Sequence, residues 1–193
     1  MRDNPIPADS PADAFWSQLG TCDHCVQFYE SDQVFLDALE AFVAGGLHQD
    51  DAIIVIATAA HRQALEARLE CRGFDLAAAI GRDQFIALDA ATTLKTLLVN
   101  DWPDEDRFNQ LVAELLGRAR RNHRKVRVFG EMVALMWAAG LAEATISLEH
   151  MWTRLCAQES FSLFCAFPKT GFAEDVCEAL DKICAAHSKV YVL

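Results

Sequence analysis

The 193-residue chain is short of positive charge: Lys and Arg total 17 against 28 Asp and Glu, giving a formal net charge of −11. Gripping a phosphate backbone takes a broad basic surface, so this balance argues against nucleic acid as the main partner. No apolar run approaches the length of a membrane-spanning helix. The opening residues 1–11 are polar and Pro-rich and carry no signal-peptide core. No membrane association and a cytoplasmic location are therefore expected. Cysteines number seven and are scattered. Without a secretory signal they are expected to be reduced thiols, most of them small core residues. Internal repeats, low-complexity tracts and linkers are also missing.

What remains is enough for one well-buried domain. Residues 1–20, with Pro5, Pro7 and Pro11, are expected to form a flexible arm, with Phe15, Trp16 and Leu19 as docking points. Residues 21–193 are expected to form a single domain. Its centre is Lys125–Met132 (K-V-R-V-F-G-E-M), a β-branched and aromatic run that ends in Gly130 and Glu131 and leads at once into an apolar helical pattern. In an open α/β sheet, residues at the C-terminal end of such a strand face the ligand crevice.

The rest of the chain alternates in the same way. Cys25–Glu30 reads as a strand, followed by a helix capped by Ser31 and stopped at Gly45-Gly46. Ala52–Ala57 (A-I-I-V-I-A) is a continuous apolar strand, as in a sheet buried on both faces. Thr58 caps the next helix. Gln84–Asp89 is a third strand and Thr92–Val99 a short helix. Asn100–Asp104 reads as a loop. Phe108, Leu111, Val112, Leu115, Leu116 and Ala119 lie on one helical stripe. After the central strand and its short helix come a long helix over Leu141–Gln158, a strand over Phe161–Phe167, a helix over Phe172–Ala186 and a last strand over Lys189–Leu193. The fold class is α/β, a mostly parallel central sheet with helices on both faces. Exposed faces of the helices at Phe108–Ala119 or Phe172–Ala186 are candidates for a homodimer contact. The basic cluster Arg118, Arg120, Arg121, Arg124, Lys125 and Arg127 reads as a helix C-terminus complementing its own dipole. An anionic ligand or acidic partner is the minority reading.

Six segments in order carry a resemblance: His24–Glu30, Gly45–His61, Leu88–Ala90, Val126–Trp137, Leu148–Trp152 and Phe161–Pro168. Together they resemble the MEDS domain, the sensory domain named for methanogens, methylotrophs and a dichloromethane-responsive regulator. The resemblance spans roughly residues 20 to 190. It implies a signal-sensing module with a three-layer core similar to the RecA/KaiC-type ATPases. Such modules stand alone or are joined to histidine kinases and DNA-binding regulators; no such region is recognisable here, so a separate output partner is expected, such as a histidine kinase, response regulator or transcriptional regulator.

The ATPase side of that resemblance has a physical test. A P-loop needs G-x-x-x-x-G-K-[ST] after the first strand, so that backbone N–H groups and a Lys can hold phosphate. The equivalent turn reads Phe28-Tyr29-Glu30-Ser31-Asp32-Gln33, with acids where a triphosphate needs the opposite charge. A functional P-loop, and ATP held in the usual way, are therefore not expected. The cofactor is unknown, and a neutral, cationic or metal-bound ligand suits the turn better.

The candidate ligand-binding residues are His24, Tyr29, Glu30, Ser31, His61, Glu131, Glu149 and Trp152. Tyr29, Glu30 and Ser31 sit at the first strand-to-helix turn, where plain capping is the competing reading. His61 lies in the first turn of its helix, where a neutral imidazole can donate to a ligand. Glu131 can hold a cationic or hydrogen-bonding group. It can equally be a buried carboxylate satisfied by neighbouring N–H groups. Glu149 and Trp152 are three apart on one helix and can line one wall. Trp152 otherwise belongs to the core, as does Cys165. Cys22, His24 and Cys25 (C-D-H-C) offer metal or thiol chemistry, but no second pair supplies the remaining ligands.

The leading expectation is a stand-alone sensory module that binds a small molecule and carries out no chemistry. The alternatives are a metal- or redox-responsive switch at Cys22, His24 and Cys25, and a diverged nucleotide enzyme with Glu131 as base.

Overall fold

The computed structural model describes residues 15–16, 19–121, 123–169 and 177–191. In chain order the elements are β1 (His24–Tyr29), α1 (Asp32–His48), β2 (Ala52–Ala57), α2 (Ala59–Cys71), α3 (Leu76–Gly81) and β3 (Phe85–Asp89). Then come α4 (Ala90–Leu97), β4 (Leu98–Val99), β5 (Trp102–Pro103), α5 (Glu105–Ala119), β6 (Val126–Gly130) and α6 (Met132–Ala138). The chain continues through α7 (Ala142–Glu159), β7 (Ser162–Pro168), α8 (Cys177–Ala186) and β8 (Lys189–Tyr191). Six strands form one sheet in the order β3-β2-β6-β7-β1-β8, and every pairing in it is parallel. The central strand of the sequence reading, β6, lies between β2 and β7.

Strand alternation sorts the interior into two cores. Val26, Ile54, Val128, Leu163 and Cys165 face the side covered by α4 to α8. Cys25, Ile53, Val55, Phe129 and Phe164 face the side covered by α1, α2 and α3. All residues of β2 are buried, which explains its unbroken apolar sequence. Trp16 is buried in the second core, with its ring 5.1 Å from Phe42, 4.7 Å from Phe164 and 5.0 Å from Tyr191. Residues 1–14, 17 and 18 of the expected arm lie outside the described residues. So does the start of the expected Phe172–Ala186 helix, of which α8 is the described part.

Two local readings need correction. Gly45-Gly46 does not stop α1, which runs on to His48. The glycine is needed for closeness rather than termination: a Cβ on Gly46 would lie 2.5 Å from Ile53 Cδ1 and 2.9 Å from Arg127 Cδ. Asn100–Asp104 is not simply a loop. Leu98 and Val99 pair antiparallel with Pro103 and Trp102. Asn100 and Asp101 make the turn at positive φ (51° and 60°), the conformation that two-residue hairpin turns require.

Arg118 lies in the last turn of α5 and Arg120 is its C-cap residue, where positive charge complements the helix dipole, and the cluster is also paired with acids. Arg118 and Arg121 pair with Asp83, Arg120 with Glu159 and Arg124 with Asp50. Arg127 is buried against Asp51 at 2.8 Å and donates further to the carbonyls of Trp16 and Phe42 and to Gln49. It ties the start of β6 to α1 and to the segment around Trp16. Among the described residues no helix is long and apolar enough to cross a membrane.

Candidate functional site at the strand ends

Because the sheet is parallel, the C-terminal ends of β1, β2, β6 and β7 open on one edge. Ser31 caps α1 by accepting from Val34 N, and Thr58 caps α2 by accepting from His61 N. Glu131 occupies the N-cap position of α6 but makes no capping bond there. Its carboxylate crosses instead to the start of α2. Oε2 accepts from Thr58 N at 2.7 Å, and Oε1 lies 2.7 Å from His61 Nδ1. An N-cap is ordinarily worth about 1 kcal/mol, so this carboxylate forgoes its own helix to fix a neighbouring one.

With Nδ1 held by Glu131, His61 turns Nε2 toward Asp32, whose Oδ1 is 3.9 Å away, while Phe35 packs against the ring at 4.8 Å. The hydrogen bond that His61 Nδ1–H donates to Glu131 raises the His61 pKa above its ordinary value, against the opposing effect of burial. Burial pushes the Tyr29 phenol up to about 12, and the charges of Glu131 and Asp32 add to the shift. The arrangement presents one oriented imidazole beside acids, a group suited to hydrogen bonding or to holding a cation.

Beside it, Gln27, Phe28, Tyr29, Glu30, Val34 and Lys169 line a cleft of about 80 Å³. Glu30 and Lys169 pair at its exposed rim, at 2.9 Å. Gln27 is 1% exposed, and neither its Nε2 nor its Oε1 has a hydrogen-bond partner among the described residues. A buried polar group left unpaired costs about 1–3 kcal/mol. This amide offers a donor and an acceptor side by side.

The predicted residues divide three ways. Tyr29, Glu30, Ser31, His61 and Glu131 gather at this edge. Trp152 does not: it is core, meeting Phe108 edge-on at 4.8 Å and packing over Gly130. His24 and Glu149 meet elsewhere, in a buried cluster on the α7 and α8 side of the sheet that also holds Cys165 and His187. The proposed Cys22, His24 and Cys25 set does not form. Cys22 is exposed, and Cys25 points to the opposite face of the sheet from His24, because neighbours on a strand alternate.

In the second cluster every group is pushed toward its uncharged form. Burial lowers His24 to about 3, lowers His187, raises Glu149 and raises Cys165 well above its usual value. Sequence reasoning missed Gln27 and His187 and assigned Cys165 to packing. The strand assignment alone puts Gln27 beside Tyr29 on one face. Nothing local in A-A-H-S-K marks His187, which meets Glu149 only through the packing of α8 on α7.

No curated protein matches the chain. One family description matches residues 23–188, from the start of β1 to the start of β8: MEDS, the MEthanogen/methylotroph, DcmR Sensory domain. With that match covering nearly the whole described fold, the chain belongs to the MEDS family of sensory domains.

Proposed function

We propose that this chain is a ligand-binding sensor whose site is the cleft at the end of β1, with Gln27 on its wall. The observation that carries the reading is the buried, unpartnered amide of Gln27 on the wall of a small cleft. Its donor and acceptor suit a small molecule with a paired acceptor and donor, such as a carboxamide, a carboxylic acid or a hydroxy compound. Phe28, Tyr29 and Val34 supply apolar walls for a short hydrocarbon portion. His61, oriented by Glu131, provides a second hydrogen-bonding point at the same edge.

The acids Glu30 and Asp32 at the first turn favour a neutral or cationic ligand over free ATP. The core is read as a RecA/KaiC-like three-layer fold whose nucleotide position serves a different ligand. No chemical step is assigned. Both oxygens of Glu131 are engaged by Thr58 and His61, which weighs against a role as general base. Output follows from differential affinity: a ligand that binds one arrangement of the Glu30–Lys169 rim better shifts the population toward it. The reader of that shift is a regulatory partner such as a histidine kinase or transcriptional regulator.

The test is a thermal-shift screen of small amides, acids and alcohols on the purified chain, with native mass spectrometry of the hits. The reading expects hits that bind one per chain and are lost in Gln27→Leu. Hits that bind Gln27→Leu equally well, or no hits in a folded wild-type chain, would contradict it.

A further inference from the structure

The second buried cluster has the geometry of a metal centre. One donor atom from each of His24, Glu149, Cys165 and His187 lies within 4.8 Å of all the others, and all of these residues are buried. Glu149 Oε2 is 3.4 Å from His24 Nε2, 3.5 Å from His187 Nε2 and 3.7 Å from Cys165 Sγ. His24 Nε2 is 3.5 Å from Cys165 Sγ. In a tetrahedral zinc site the bonds are about 2.0–2.3 Å, so adjacent donors stand about 3.3–3.7 Å apart. Each of these separations falls in that range.

The outer contacts fix which ring nitrogens face inward. His187 Nδ1 lies 2.6 Å from the carbonyl of Ile183, which can only accept, so Nδ1 carries the proton and Nε2 the lone pair. His24 Nδ1 lies 3.1 Å from Thr153 Oγ1, whose own proton is directed to the carbonyls of Glu149 and Ala186. That hydroxyl therefore accepts from Nδ1–H, and His24 Nε2 is also a bare lone pair. Two imidazole lone pairs thus face one carboxylate oxygen. Glu149 Oε1 and His187 Nε2 have no hydrogen-bond partner among the described residues. Four ligand-type groups thus converge with the Cys165 thiol as the hydrogen-bond donor among them, and lone pairs crowded in this way suit a cation. Histidines whose second nitrogen is held by a carbonyl or hydroxyl are the usual form of metal-ligating imidazole.

We propose that His24, Glu149, Cys165 and His187 form a closed site for Zn²⁺ or a similar divalent transition ion. Carboxylate and thiolate together balance the ion's charge, so its burial leaves no net charge in the core. Loading releases to solvent the Cys165 thiol proton and the proton that burial favours on the Glu149 carboxyl. The ligands come from β1, α7, β7 and the turn between α8 and β8. The ion would therefore staple the C-terminal α8–β8 unit to the centre of the sheet. This site is separate from the cleft at the strand ends and does not depend on what binds there.

The test uses the full chain expressed without a polyhistidine tag. Metal content is measured on protein from zinc-supplemented medium, and Co²⁺ is titrated into chelator-stripped protein. The expected result is one zinc per chain, with tetrahedral cobalt bands and a thiolate-to-cobalt charge-transfer band. Cys165→Ser should lose the charge-transfer band and bind at least about 100-fold more weakly. Thr153→Val removes no donor but frees the His24 ring, and it should weaken binding about 10–100-fold. Two results would overturn the proposal. One is a folded wild-type chain that takes up neither ion at micromolar concentration. The other is a Cys165→Ser chain, folded by circular dichroism, that binds as tightly as wild type with the same cobalt spectrum.

Discussion

Glu131 and Glu149 are both buried carboxylates on the helical side of a strand end or a strand face, yet their surroundings differ in kind. Glu131 is 5% exposed, and both of its oxygens are engaged, by Thr58 N and by His61. Glu149 is fully buried, and among the described residues one oxygen has no partner while the other faces two imidazole nitrogens and a thiol. A satisfied buried charge holds neighbouring elements in place. A buried polar group left unsatisfied is retained at a cost and marks a place where something else completes the bonding. The same division separates Arg127, which has partners on all sides, from the Gln27 side-chain amide, which has none among the described residues.

Mutation should expose that division in stability. Glu131→Leu strands Thr58 N–H and frees His61, and it should cost about 3 kcal/mol or more in urea unfolding. Glu149→Gln in metal-free protein should stay within about 1 kcal/mol of wild type, since few donors depend on it. Equal losses in the two variants would erase the distinction.

Crowding the satisfied Arg127 site comes next. Gly46→Ala drives a methyl into Ile53 and the Arg127 side chain and should cost about 1–3 kcal/mol. Gly45→Ala meets only Arg127 Nη1, at 3.7 Å, and should gain up to about 1 kcal/mol from helix propensity. At the unsatisfied site in the cleft, Gln27→Leu should raise stability by about 1–2 kcal/mol while abolishing ligand binding. A loss of stability there would mean that the amide is partnered after all.

The smallest effect is in pH. The folded pKa of His61 is raised, chiefly by its hydrogen bond to Glu131. The stability from this pair is therefore fully present below the ordinary histidine range and is lost as pH rises through the raised folded value. The stability gap between wild type and His61→Gln should narrow from mildly acidic to mildly alkaline pH. A gap that widens would contradict the assignment.

The parts of the fold legible in the sequence were those set by local pattern. Ala52–Ala57 and Val126–Gly130 announce buried parallel strands by unbroken apolar or β-branched runs, and Ser31 and Thr58 announce their helices by capping chemistry. Gly45-Gly46 misleads because a glycine that ends a helix and one that admits a neighbour look alike in one dimension. Only the approach of Ile53 and Arg127 separates them. Cys22, His24 and Cys25 mislead by adjacency, although a strand through Cys25 already puts His24 and Cys25 on opposite faces. Glu131 and His61 are both visible as residues at strand and helix ends. Their pairing follows once β2 and β6 are neighbours. His187 and Cys165 are not visible as partners of Glu149, because their meeting depends on strand register and on how α8 seats against α7.

The most direct test of the account is a Co²⁺ titration of Glu131→Gln and Glu149→Gln side by side with wild type. The account predicts that Glu131→Gln keeps the tetrahedral cobalt spectrum and that Glu149→Gln loses it. A spectrum unchanged in Glu149→Gln, or missing from all three folded proteins, would contradict the claim that unsatisfied buried groups mark the binding sites of this domain.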